Sequence, residues 1–162
     1  MRLLAVLTVV SVAALVAGCR DDETAPVSRD AQVYVATVRD VVDDQPAPED
    51  PDVLPVVYVA PAARGEIPAD VQAEVAEELH DEVDLRFADE RDEAVLTEED
   101  GLPVRAEGLL LVVGELPEAG DPIEMRIEIY RSERNWSVVD LTLANGSSGW
   151  SVTGSTVVPD GG

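Results

Sequence analysis

The spacing of apolar and polar residues changes several times along the chain, and each change marks an expected element. The first stretch, Leu3 to Val16, holds nothing more polar than Thr8 and Ser11 and follows the single positive charge of Arg2. It falls short of the about 20 apolar residues needed to cross ~30 Å of hydrocarbon, and suits a cleaved export signal. A polar tether, Arg20 to Asp30, comes next. Ala31, Tyr34, Val35, Val38, Val41 and Val42 then recur at helical spacing, with Gln32, Arg39 and Asp40 on the opposite face. Asp30 is the expected N-cap of this helix.

Residues 43 to 53 carry three prolines and five acids and read as an exposed loop. Leu54-Pro55-Val56-Val57-Tyr58-Val59-Ala60 is short and almost wholly apolar, the pattern of a buried strand. Pro68 suits a first helical turn, and Val71, Val75 and Leu79 repeat every four residues above Gln72, Glu74, Glu77 and Glu78, so a second helix runs to about His80. Val83, Leu85 and Phe87 alternate with Asp84, Arg86 and Ala88, giving a strand. Periodicity is lost from 89 to 107. Gly108 and Gly114 then enclose Leu-Leu-Leu-Val-Val, a central strand.

The last third alternates most clearly. Ile123, Met125, Ile127 and Ile129 interleave with Glu124, Arg126, Glu128 and Tyr130, so one sheet face is buried and the other wet. Val139, Leu141 and Leu143 repeat the pattern after a turn at Ser132 to Asn135, Asn145-Gly146 begins the next turn, and Trp150 and Val152 belong to a final strand. Three strands with short connections form an antiparallel meander. The expected fold class is α+β: two helices packed on one face of an antiparallel-rich sheet that ends in a three-stranded meander. The expected organisation is a signal peptide over 1–18, a lipidated cysteine and acidic tether over 19–30, one domain over 31–158 and a flexible tail over 159–162.

The apolar leader ends in Val16-Ala17-Gly18-Cys19, which resembles the lipobox of bacterial lipoproteins. The resemblance implies cleavage between Gly18 and Cys19 and a thioether-linked diacylglycerol on Cys19. Each buried methylene contributes ~0.8 kcal/mol, and a single acyl chain holds a protein only marginally, so two chains on one residue make attachment durable. The implied location is the cell membrane, lipid-anchored, on its extracytoplasmic face. Cys19 is the sole cysteine, which excludes an intramolecular disulfide and leaves the domain to hold together by packing.

Thirty-four acids stand against eleven bases, all of them arginine, for a formal charge of −23; loss of Arg2 with the signal makes the mature chain −24. Such a field repels phosphate backbones and anionic lipid, so nucleic acid is not an expected partner. Without lysine, Schiff-base chemistry and a Walker loop are excluded. His80 is the only histidine, which excludes a multi-histidine zinc site, and its place near a helix end suits a bond to terminal carbonyls better than catalysis. Asp89, Glu90, Asp92 and Glu93 form the most conspicuous acidic cluster. Carboxylates can furnish calcium with oxygens, but the spacing is not that of an EF-hand and exposed acidic turns account for it more simply. No catalytic residue, metal or cofactor is expected.

Residues 123 to 158, with Trp150-Ser151-Val152, resemble the meander of cystatin-like and NTF2-like curved-sheet domains. That resemblance implies a sheet wrapped around a helix. Two functional expectations stand, the first from an anchored small domain without a reactive constellation and the second from the curved-sheet resemblance. The first is a non-catalytic domain that binds an envelope protein, with Arg126, Tyr130 and Arg131 on the meander's outer face as one contact surface. The second is a small-ligand or enzymatic pocket between a curved sheet and its helices.

Overall fold

The computed structural model describes residues 26–46, 48, 50–62 and 65–159. The leader, Gly18, Cys19, most of the tether and the last three residues lie outside that set. Helix α1 spans Arg29–Asp43. Its N-cap is Ser28, whose hydroxyl accepts from the Ala31 amide at 3.3 Å. Asp30, the residue expected to cap, instead sits in the first turn, where its charge suits the positive end of the helix dipole. Valine is a mediocre helix former, yet Val33, Val35, Val38 and Val41 are all buried here, so packing rather than propensity sets this helix. Thr37, fully buried, donates its hydroxyl to the Val33 carbonyl at 2.9 Å. Burial, with the nearby Asp30 charge, pushes the Tyr34 phenol up to about 12.

Strand β1 (Val56–Pro61) leads into α2 (Ala69–Leu79), which buries Val71, Val75 and Leu79. Strand β2 (Asp84–Phe87) returns parallel to β1, with Val57 opposite Leu85. A short helix, α3 (Arg91–Ala94), and a 3-10 turn at Arg105–Glu107 precede β3 (Leu109–Val113), which pairs parallel on the other side of β1. The meander follows as β4 (Ile123–Ser132), β5 (Asn135–Gly146) and β6 (Gly149–Val158), all antiparallel. The result is an α+β fold with one six-stranded mixed sheet in the order β2-β1-β3-β4-β5-β6.

Alternation sorts side chains to two faces. Val57, Val59, Leu109, Leu111, Val113, Ile127, Leu141 and Leu143 point to the side covered by α1 and α2 and make the main core. Tyr58, Ala60, Leu110 and Tyr130 point the other way, into a smaller cluster closed by Ala88, Ala94, Val95 and Val104. The segment between β2 and β3 therefore forms a third layer over β1, β3 and part of β4. It shows no period because main-chain bonds rather than one apolar face hold it. Val104 N–H donates to the Arg131 carbonyl at 2.9 Å, Glu133 N–H to Gly101 at 2.8 Å, and Leu96 N–H to Pro103 at 2.8 Å. Coverage on both faces also explains why β1 and β3 read as continuous apolar runs. Gly108 and Gly114, which bracket β3, are needed for close approach: a Cβ would lie 2.8 Å from the Val56 carbonyl oxygen at the first and 2.8 Å from that of Arg126 at the second.

Candidate functional site

The interlayer space proposed for a ligand is filled. Val33, Val38, Val59, Val75, Leu79, Leu111, Ile127, Leu141 and Leu143, each no more than 2 % exposed, occupy it. The surface suggested by Arg126, Tyr130 and Arg131 is not a single surface. Tyr130 is only 3 % exposed because the third layer lies over it, its hydroxyl donating to the Leu102 carbonyl at 2.8 Å and its ring carrying the Arg91 guanidinium at 3.9 Å. Arg126 stays exposed and pairs with Asp140 at 2.7 and 2.9 Å, holding that carboxyl below its ordinary range. Arg131 reaches Gln45 at 2.8 Å, just past the end of α1.

His80 caps α2 from an exposed position. Its Nδ1–H donates to the Glu77 carbonyl at 2.7 Å, and that bond, followed by the Asp81 charge, raises its pKa. The acidic cluster lies where β2 passes into α3. Glu90 is the N-cap of α3, Glu93 accepts from the Asp89 amide at 3.2 Å, and the Asp89, Glu90, Asp92 and Glu93 side chains are exposed. Among the described residues no group of three or more His, Cys, Asp or Glu side chains converges as metal ligands. Also among them, no helix is long and apolar enough to cross a membrane. Gly18 and Cys19 lie outside the described residues.

Two recesses lie beside β6, and others of about 650 and 630 Å³ open beside Pro61 and Ala62 at the end of β1. On one stretch of β6, Val35 and Ala36 of α1 face Trp150 and Val152 across a groove of about 510 Å³. Further along, Val41 and Gln45 face Ser155 and Val157 across about 290 Å³. Asp40 lines both stretches and joins them. Register explains the side chains offered: Ser155 lies opposite Leu141 and Val157 opposite Val139, so both point to the helix side of the sheet.

The charges along this groove break a local rule. Cations are favoured at a helix C-terminus, yet α1 has no base in its last turn and ends in Asp40, Asp43 and the C-cap Asp44. Asp40 is pushed up first by burial and then by the charges of Asp44 and Asp43. Neighbouring Arg39 is turned chiefly to Glu82, in a two-pronged pair at 2.6 and 2.8 Å, and of the three aspartates its charge acts on Asp43. Helical spacing places Asp40 opposite the apolar stripe and the proline-rich stretch from 43 places Asp43 in a loop, whereas α1 extends through Asp43 and both line the groove. The signal available was three aspartates within five residues at the end of a helix, without a compensating base.

Comparison with known proteins adds no assignment. No family model, curated protein or solved structure matches the chain.

Proposed function

We propose that this chain is a membrane-tethered, extracytoplasmic lipoprotein whose folded domain binds another component of the cell envelope. The observation that carries the binding half is the distribution of recessed surface. Aliphatic side chains fill the space between sheet and helices, while an open, acid-lined groove follows the outermost strand. A domain of this kind engages partners with its surface rather than enclosing a small molecule.

The tethering half rests on Val16-Ala17-Gly18-Cys19 behind an apolar leader. Eight residues link Cys19 to Ser28, the cap of α1, and the two are at most about 30 Å apart when that link is extended. The end of the domain next to that link carries Asp30, Glu66, Glu115, Glu118 and Asp121 on its grooves. A surface of that sign is repelled by anionic headgroups, so a covalent lipid is the means of attachment that suits it. Fractionation of cells expressing the Cys19→Ala variant tests this half: the protein should leave the membrane fraction and appear in soluble extracytoplasmic material. Retention in the membrane at the wild-type level would overturn it.

A further inference from the structure

We propose that the free edge of β6 accepts an extended, basic segment of a partner protein as a seventh strand, its cationic side chains lying along the groove toward Asp40, Asp43 and Asp44. The inference rests on reading the domain as a tethered binding module and specifies what it binds.

Three observations meet at this edge. The first is main-chain valence. β6 is the terminal strand of the sheet, and among the described residues no other backbone pairs with its outer side. An open edge is a template for a further strand. Its register slips once, Leu143 facing Val152 and Thr142 facing Gly154, so Thr153 is an extra residue. Beyond that bulge, Gly154–Val158 runs in regular pairing with β5 and forms the usable stretch.

The second is that beyond the bulge no charge guards the edge. Proteins guard exposed edges with charged side chains, above all lysine. From Leu141 to Pro159 this chain has no charged residue, although its formal charge is −23. Val157, on this edge, is 64 % exposed.

The third is charge complementarity. A strand laid against β6 turns alternate side chains to the helix side, where Asp40 and Asp44 line the groove beside Ser155 and Val157. Arg131 also lines this stretch and is engaged with Gln45. Lysine or arginine at every second position would therefore meet carboxylates that have no cation of their own in the last turn of α1. A second copy of this chain is a poorer occupant because it would bring the same carboxylates to the junction. The tether is poorer too, since Asp21, Asp22 and Glu23 outweigh Arg20.

The test is a calorimetric titration of the full lipoprotein, in uncharged detergent micelles, with a ten-residue peptide alternating lysine with valine and threonine. Controls are the same peptide N-methylated at every second backbone nitrogen, in each of the two registers, which keeps the charge but removes strand pairing along one edge. We expect one N-methylated version to bind at least about tenfold more weakly than the parent. The Asp40→Asn/Asp44→Asn double variant should bind the parent about tenfold more weakly, and Val157→Lys similarly, with far-ultraviolet circular dichroism unchanged. Hydrogen exchange should slow at 154–158 on binding. Equal affinity for the parent and both N-methylated peptides would reduce the interaction to charge and overturn the strand. So would protection of the same amides by self-association without peptide, which would make a second copy the occupant. Photo-crosslinkers at positions 157 and 91 of the anchored protein separate this inference from the broader reading. Envelope adducts from 157 support the strand; adducts from 91 alone overturn it and leave the binding module standing; adducts from neither overturn both.

Discussion

At one edge of the sheet, β2 presents four residues, of which Asp84 and Arg86 are locked together at 2.6 and 3.2 Å. At the other, β6 presents ten, none of them charged. The Arg86 guanidinium also donates to the Tyr58 hydroxyl at 2.9 Å and lies 5.5 Å from that ring, tying the side chains of the short edge to its neighbour β1. A short strand with charged, occupied side chains is a poor template for further pairing, and a long neutral strand is a good one. Both strands end the sheet, but the chain guards one edge with charge and leaves the other neutral.

The contrast can be broken or sharpened by four sets of changes, the first a pair, in falling order of effect. Leu143→Ala removes a fully buried β5 side chain beneath β6 and should cost about 2–5 kcal/mol. Leu85→Ala, on partly exposed β2, should cost less than half as much. Chemical denaturation of both variants checks this, and equal losses would mean that the two edges are supported alike. Arg86→Ala should lower stability less than Leu85→Ala does, since exposed ion pairs contribute little, while making the amides of β2 exchange faster.

The third change uses pH. Asp84 is held below the usual carboxylate range by the hydrogen bonds from Arg86. Its contribution is present above its unfolded pKa and lost as pH falls through the lower folded value. Asp40 behaves oppositely, because burial and its aspartate neighbours raise it. The stability associated with its proton is fully present below the unfolded pKa and lost as pH rises through the folded one. Asp40→Asn should therefore stabilise the protein at neutral pH by ~0.5 kcal/mol, the scale of a like-charge pair one helical turn apart, and the gain should vanish near about pH 3, where the wild-type carboxyl is itself protonated. Melting curves at the two pH values check it; a gain that persisted in acid would show that repulsion is not the cause. Last, Val157→Lys should leave the melting temperature within about 1 °C, since a surface change of this kind stays near zero, while weakening binding of the lysine-alternating peptide in the calorimetric titration.

How much of this could be read from the chain depends on what each residue answers to. The meander was legible because Ile123, Met125 and Ile127 face a core while Glu124 and Arg126 face water, so burial is written into alternate positions. The apolar runs of β1 and β3 announced burial on both faces but not what lay on the second, because the covering segment 88–107 is held by main-chain bonds that leave no periodic trace. Tyr130 was misplaced for that reason: its neighbours in sequence are surface residues, and the layer that buries it comes from 28 residues away at Leu102. Ser28 and Asp30 are both good caps, and only geometry separates them. The groove was the least legible part. That β6 ends the sheet is a fact of strand order, and the three aspartates of α1 acquire meaning only when that edge is seen to lie beside them.

The clasp at the start of α1 has a mechanical consequence. Ser28 N–H donates to Glu74 on α2 at 2.7 Å, while the Arg29 guanidinium donates to the Pro117 carbonyl at 3.0 Å and lies 5.4 Å from the Trp150 ring on β6. A pull arriving from the N-terminal side meets α2, the approach to β4 and the last strand before it reaches the body of the helix. Tension applied at Ser28 is thereby shared across the domain instead of unwinding α1 turn by turn.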